Sequence, residues 1–499
     1  MKSPSMPENQ QKNLLAIFFL SFGYIALQMI LTPVRIRVVT GILSVEDYTR
    51  LNMVIMNISF VGVMLSLGSY EYLLRKLPGA SPEFQLAVIK RFTVFFGGLT
   101  LVGALVGVVL LKLLLPDDSG LTTYDIVLCG IGLLAWGHLL QRCIMLMARS
   151  EMFKYRITQF FYGDFWFVPL ALGFLFIPAF NFHHILTIWV GWMVLVAILL
   201  IRFIPYRQAL KSDASLVPLK DIIIFSLPLL PMLFGEWLFR IGDRWFLLIL
   251  HGEVETGYYM VAMNIALIAF MVGQQLLSMI AAKFNQLKNK LTGDFLEAPH
   301  TSPDMRAIFS IMLRYCWILS IVTAVAFCLS PEAIVGILAD AKFAPAATIL
   351  PWAAPVSFFF LTGTVFCRTL ITLDRTRTVA VVTLGAAAIN LGLNALFVPG
   401  MAKEGAALAT VLSLVCMALF SGIAIRAWRW IDATELKAGR ILVFTALCVA
   451  AFYLAEAISG YMLITLAIGG LLSLASLFAL GLFKKRELLT LFGKSAEDA

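Results

Sequence analysis

The chain is 499 residues long, 61% apolar and 12% aromatic, with only 13% charged residues and a mean hydropathy of +0.91. About a quarter of a soluble domain is charged, so this composition excludes a soluble enzyme, a disordered chain and a nucleic-acid binder, in spite of the net charge of +9. The 39 Phe run through the whole length, which excludes a single anchor on a soluble domain, and the 7 Cys stand singly with no metal-ligand spacing.

A membrane helix needs about 20 mostly apolar residues. Runs of that length, taken in chain order, fall near 14–34, 51–71, 92–115, 121–147, 157–180 and 184–204. Six more fall near 221–250, 257–282, 308–330, 346–373, 378–399 and 405–425, and a last pair near 440–458 and 460–483. The expected fold is therefore an all-α polytopic membrane protein of about fourteen spans. The first run is too long for a signal-peptide core and has no small-x-small cleavage site, so it reads as a retained helix. Loops on the side of the N-terminus hold thirty of the 38 basic residues, and the positive-inside rule then puts both termini in the cytoplasm.

The two halves share a pattern. Thr49–Ile58 matches Thr256–Ile265 at six of ten positions, and the same offset pairs Arg37 with Arg244. A second match sets Arg142-Cys-Ile-Met-Leu-Met against Arg368-Thr-Leu-Ile-Thr-Leu. Six spans return the chain to its starting side, so the units are parallel repeats about an axis along the membrane normal. The expected organisation is an N-lobe (1–211), a C-lobe (212–430, with a long cytoplasmic loop at 283–307) and two appended spans with a tail (431–499). Two such bundles facing across a cleft make a transporter.

Three motifs carry a resemblance. They are Arg37…Gly41-Ile-Leu-Ser-Val-Glu-Asp-Tyr48; Gly242-Asp-Arg-Trp-Phe…Gly257-Tyr-Tyr259; and Asn390…Asn394…Pro399-Gly…Gly405-Ala-Ala-Leu-Ala-Thr410. Together they resemble the multidrug/oligosaccharidyl-lipid/polysaccharide (MOP) exporter superfamily, in its polysaccharide (O-antigen-like, Wzx-type) flippase branch. One departure is Thr49-Arg50 after Tyr48, where that family usually has Gly. The resemblance implies a MATE-like fold in the bacterial cytoplasmic (inner) membrane. It also implies movement of an undecaprenyl-diphosphate-linked oligosaccharide to the outer leaflet by alternating access. Its expected partners are that lipid-linked cargo, membrane lipids, and a polysaccharide polymerase with other assembly proteins. The alternatives are a peptidoglycan lipid-precursor flippase and a cation-coupled multidrug antiporter of the same fold. No nucleic acid, metal or organic cofactor is expected; a proton or sodium gradient is the candidate energy source.

Charges inside the spans supply the candidate site, because a buried Arg, Lys or Asp costs roughly 2.5–3.5 kcal/mol at a helix centre and usually faces a cavity. The seventh span carries Glu236, Arg240, Asp243 and Arg244 at spacings of three and four. Glu236 and Arg240 read as cavity-lining. Asp243 and Arg244 read either way, with snorkelling to headgroups as the alternative, and the same alternative holds for Arg35 and Arg37. Arg142 and Arg368 are repeat-equivalent and suit a diphosphate at the inner mouth, since guanidinium forks match phosphate geometry. Glu236, four residues from Arg240, is the first candidate proton or cation site for coupling, and Asp164, at mid-depth in the fifth span, is the second. His183-His184 reads as a solvated pair in a short outer loop. No Walker A, HExxH or dinucleotide fingerprint is present, and every outer loop is too short for an integral membrane transferase.

Overall fold

A computed structural model describes residues 8–77, 80–114, 122–149, 151–177, 180–213, 215, 217–227, 230–288, 291, 298–458 and 461–482. The side chains of 8–22 and of scattered helical residues, Glu71, Arg75 and Glu236 among them, lie outside the described residues. All secondary structure among the described residues is helical.

The chain divides into two compact units, Met1–Trp237 and Leu238–Ala499. The first unit begins with α1 (Glu8–Ile42), α2 (Val45–Leu65) and α3 (Ser69–Lys76). Next come α4 (Pro82–Arg91) and α5 (Gly97–Leu114), joined by a π turn at Phe92–Phe96, and then α6 (Thr123–Ala148). A second π turn, Phe160–Asp164, follows α7 (Met152–Gln159) and precedes α8 (Phe167–Phe176). The unit continues with α9 (Phe182–Leu199), α10 (Tyr206–Lys211) and α11 (Leu219–Ser226). Helix α12 (Leu230–Lys288) starts in the first unit and runs through the second, followed by α13 (Pro303–Leu329) and α14 (Pro331–Leu338). A 3-10 segment, Ala341–Ile349, leads into α15 (Leu350–Ala353), α16 (Val356–Thr372) and α17 (Thr376–Ile425). The second unit closes with α18 (Ala433–Leu436), α19 (Ala438–Ile458) and α20 (Met462–Ala479).

Nine helical segments among the described residues are long and apolar enough to cross a membrane, ten if the bent run Ala341–Thr372 is one span. Part of the difference from fourteen sequence runs has a structural origin. Runs seven and eight share α12, and eleven and twelve share α17, each broken by one non-helical residue, Gly252 (φ 80°) and Ala402 (φ 46°). The fourteenth run, around α20, is a shorter apolar helix. Gly252 also has ψ −174°, a conformation that is essentially restricted to glycine. The long loop expected at 283–307 is shorter than that, because α12 continues to Lys288.

Capping chemistry sets the helix starts. Ser44 accepts the Asp47 N–H at 3.0 Å to open α2. Thr122 and Asp125 form a reciprocal capping box on α6, and Asn181 accepts the His184 N–H at α9. His183 is not simply solvated: its Nδ1 lies 2.8 Å from the buried Asp125 carboxylate, tying α9 to α6. At the other end of the first unit, Tyr72, Leu73, Phe92, Phe96, Leu146 and Ile222 share one core. Phe225 of α11 meets Tyr72 of α3 at 5.9 Å. α11 is thus packed into the first compact unit, which runs to Trp237.

In the second unit Trp430, 2% exposed, wedges between Phe284 and Phe309 at 5.9 and 5.7 Å. The segment after α17 is fastened to α13 by three groups. Arg306 donates to Ile431 O (2.6 Å), Ser310 Oγ accepts the Asp432 N–H (2.7 Å), and Arg314 donates to Glu435 O (2.5 Å). Phe444, Cys448 and Phe452 of α19 belong to the same core as α13, so the last helices are built into this unit. Elsewhere large apolar side chains such as Phe176 (79% exposed) and Ile249 (75%) face outward, as a lipid solvent requires.

Candidate functional site

In the first unit the site is assembled by the second π turn. Its register shift makes Phe165 N–H donate to Phe160 O (2.9 Å), so the carbonyls of Phe161 and Gly163 lose their usual helical donors. Trp192 Nε1 takes Phe161 O at 2.8 Å, and Arg35 Nη1 takes Gly163 O at 3.0 Å. A carbonyl in hydrocarbon must find a partner, which is why an arginine reaches this depth. The turn ends on Asp164, 6% exposed. Tyr24 donates its hydroxyl to Asp164 Oδ2 at 2.5 Å, Gln28 donates its amide at 3.2 Å, and Arg35 Nη1 stands 3.9 Å from Oδ1. The Arg156 guanidinium lies 4.8 Å from the Tyr24 ring centroid and donates to Gln159 Oε1 at 2.9 Å. Asp164 is therefore the hub of a polar cluster built from α1 and α7. Tyr24 and Gln28 had no part in the sequence expectation, and Arg156 entered only as one of the basic residues on the N-terminal side; the polar character of Tyr24 and Gln28 in an apolar run was the available signal.

The second unit holds a matching kind of cluster around Asp243, 2% exposed. One carboxylate oxygen accepts the Arg244 N–H (2.7 Å) and lies 3.2 Å from Arg244 Nη1. The other accepts the Tyr259 hydroxyl and the Thr410 hydroxyl, the latter at 3.4 Å. Arg244 also lies over the Tyr259 ring at 5.8 Å and donates to the Arg240 carbonyl. Two of the three sequence motifs, some 150 residues apart, thus converge on one carboxylate. Asn394 of the third motif donates to Asn390 O and Oδ1, while Asn390 Nδ2 and Asn394 Oδ1 are buried without a hydrogen-bond partner among the described residues. The kinks of α12 and α17 are fastened together nearby in sequence: His251 Nε2 lies 2.8 Å from Val398 O and Lys403 Nζ 2.8 Å from Glu255.

The remaining candidates divide. Arg244 is only 4% exposed and paired, so the snorkelling alternative does not describe it. Arg37 and Arg240 are exposed. Arg142 is buried, with Nη1 on Ala197 O (2.6 Å) and Nε on the Tyr206 hydroxyl (3.3 Å), which makes it a strut between α6, α9 and α10. Arg368 is half-buried and donates to Gln274 Oε1 at 3.2 Å. Glu236 lies outside the described residues. No cluster of three or more His, Cys, Asp or Glu that could hold a metal occurs among the described residues.

No family model matches the sequence, and no curated protein is recognisably similar to it. Solved structures are similar in fold. The lipid II flippase MurJ in an inward-closed conformation aligns over 93% of this chain and 100% of its own, with TM-score 0.67 and 14% identity. The fold is that of the MATE and MurJ transporters. A multidrug-resistance MATE transporter of the MOP superfamily, inward-facing, aligns over 82% of this chain and 96% of its own, with TM-score 0.64 and 12% identity. A MOP-superfamily transporter from Pyrococcus furiosus, described as having a binding pocket of reverse polarity, aligns over 84% and 95% with TM-score 0.55 and 10% identity. These neighbours are transporters and flippases, not enzymes, and their identity to this chain speaks for the shared fold alone.

Proposed function

We propose that this chain flips an undecaprenyl-diphosphate-linked oligosaccharide from the cytoplasmic to the outer leaflet by alternating access, for surface polysaccharide assembly. The observation that carries the reading is the convergence of Arg244, Tyr259 and Thr410 on Asp243, because these are the residues through which the sequence resembles the polysaccharide branch. The cargo chemistry agrees with the side chains: exposed Arg37 and Arg240 offer guanidinium donors to a diphosphate. A drug-cation exporter would instead need carboxylates in its binding surface. Arg142 and Arg368, two of the five arginines expected to bind the cargo, are given a packing role here, consistent with the contacts they make within their own units.

Coupling is assigned to Asp164. Outward movement of two negative charges is favoured by an inside-negative potential, each charge contributing roughly 2.3 kcal/mol per 100 mV, so the return of the empty carrier is the step needing control. A proton on Asp164 removes the charge that Arg35, Tyr24 and Gln28 are arranged around, which changes the α1–α7 contact. Glu236, the first candidate by its spacing from Arg240, is the alternative for the same role.

A second reading, a peptidoglycan lipid-precursor flippase, is favoured by the fold likeness to the lipid II flippase MurJ over nearly the whole chain. Proteoliposomes containing fluorescent undecaprenyl-diphosphate oligosaccharide, lipid II or a cationic drug separate the three. The oligosaccharide lipid should be translocated fastest, and Arg37→Ala or Arg240→Ala should slow it with the protein still folded. Asp164→Asn should translocate without responding to an imposed pH or sodium gradient, with Glu236→Gln as the comparison. Transport of the drug with no movement of either lipid would overturn the reading.

A further inference from the structure

The junction of α4 and α5 carries a feature unrelated to either polar cluster. A cavity of about 490 Å³ opens there, lined by Lys90, Arg91, Val94, Phe95, Gly98, Leu99, Val102 and Leu219. Its volume is within the range of roughly 300–1,000 Å³ usual for ligand pockets. The lining is ordered by chemistry along the helix. Both cations sit at one end, where α4 passes into its π turn, and the rest is hydrocarbon. Val94, Gly98 and Val102 succeed one another at four-residue intervals, so the apolar wall is one continuous helix face. Val94 (59%) and Val102 (56%) are exposed, so this face opens outward.

Length and charge identify an occupant. From Lys90 to Val102 is about 18 Å of helix, close to half of a hydrocarbon core of about 30 Å, which is one leaflet. Lys90 Nζ donates to Ser212 O (2.7 Å) and Arg91 Nε to Val217 O (3.0 Å), which holds both side chains at this end of the cavity. Asp213 is the acidic residue beside them. Its carboxylate accepts the Ser215 hydroxyl (2.7 Å) and N–H (2.8 Å), which, ahead of the influence of Lys90 and Arg91, hold it below the usual carboxylate range. In the same stretch the exposed Lys211 and Lys220 outnumber the exposed Asp221, so with Lys90 and Arg91 against Asp213 the local balance is positive. At Gly98 a Cβ would meet no atom within 4 Å, so the missing side chain leaves room in the wall.

We propose that this cavity binds one anionic phospholipid of the leaflet on the Lys/Arg-rich side, its phosphate at Lys90 and Arg91 and one acyl chain along Val94, Gly98 and Val102. The site lies outside the proposed transport machinery and stands or falls separately from it.

The test is native mass spectrometry of the full chain with phosphatidylglycerol, phosphatidylethanolamine and undecaprenyl phosphate offered in turn. Phosphatidylglycerol should be retained preferentially. The Lys90→Gln/Arg91→Gln pair should weaken retention about thirtyfold, at roughly a kcal/mol per surface cation. Since that pair also loosens the 212–217 segment, Gly98→Leu is the independent arm: it fills the trough with both cations intact, and should abolish retention with unchanged thermal stability. Equal retention of the two phospholipids, undiminished phosphatidylglycerol retention in Gly98→Leu, or retention of undecaprenyl phosphate alone would each overturn the assignment.

Discussion

Replacing the partners of Asp243 one at a time should give a graded loss of stability that the geometry orders in advance. Asp243 and Arg244 are 2% and 4% exposed, and their guanidinium–carboxylate separation is 3.2 Å. Asp243→Asn leaves the buried Arg244 cation without its counter-charge, which typically costs about 3–5 kcal/mol. Tyr259→Phe removes one hydrogen bond to a charged acceptor while Arg244 remains paired, at a cost of about 1.5–3 kcal/mol. Thr410 stands 3.4 Å from the same carboxylate, so Thr410→Val should cost no more than the average of about 0.6 kcal/mol for interhelical hydrogen bonds in membranes. Reversible unfolding in mixed micelles, followed by tryptophan fluorescence, reads the three values. A double-mutant cycle between Asp243 and Tyr259 should show coupling of about 0.5–3 kcal/mol because they touch. If Thr410→Val is as damaging as Asp243→Asn, or if Asp243→Asn is neutral, the carboxylate is not the hub.

Four further outcomes follow from single positions. At Gly405 a Cβ would stand 2.6 Å from Phe397 O and 2.8 Å from Phe397 C, backbone that cannot swing aside; Gly405→Ala should destabilise by about 1–3 kcal/mol in the same assay. Gly392→Ala, with nothing within 4 Å, should be neutral or stabilise by about 0.5–1 kcal/mol. Burial, then Arg429, Arg426 and Arg306, hold the His300 imidazole below its ordinary value, so the unfolded chain takes up the proton more readily. The stabilisation it contributes is present above about pH 6.5 and lost as pH falls through the lower folded value, so acidification from pH 7.5 to 5.5 should lower the melting temperature of the wild type more than that of His300→Gln. Asp432 caps α18 through the Thr434 and Glu435 N–H groups at 2.9 and 3.4 Å, and Asp432→Ala should cost about 1 kcal/mol in thermal unfolding.

The apolar runs were legible in the sequence because a membrane helix is specified by composition over about 20 residues, and the long apolar helices overlap them. What merges runs seven and eight, or eleven and twelve, is a single backbone conformation at Gly252 or Ala402, which leaves no trace in a hydropathy window. The π turns were equally silent: one added residue per turn releases carbonyls to Trp192 and Arg35, and this is a property of register. Asp164 was legible as a carboxylate out of place in a span, but its partners Tyr24 and Gln28 lie some 140 residues away, beyond the reach of spacing arguments. Arg142 was singled out by its position near a helix end, while the Ala197 carbonyl and Tyr206 hydroxyl that accept from it lie 55 and 64 residues on, equally out of reach of spacing. His183 was read as solvated because its partner, Asp125, sits on another helix.

The central claim is that the cargo is an undecaprenyl-diphosphate-linked oligosaccharide. Its most direct test is a reconstituted assay in which the fluorescent lipid-linked oligosaccharide is placed in proteoliposomes and its arrival in the opposite leaflet is read by quenching with a membrane-impermeant reductant. The account predicts protein-dependent translocation that requires both the diphosphate and the sugar and falls in Arg240→Ala. Translocation no faster than in protein-free liposomes, from protein shown by its unfolding curve to be intact, would contradict it.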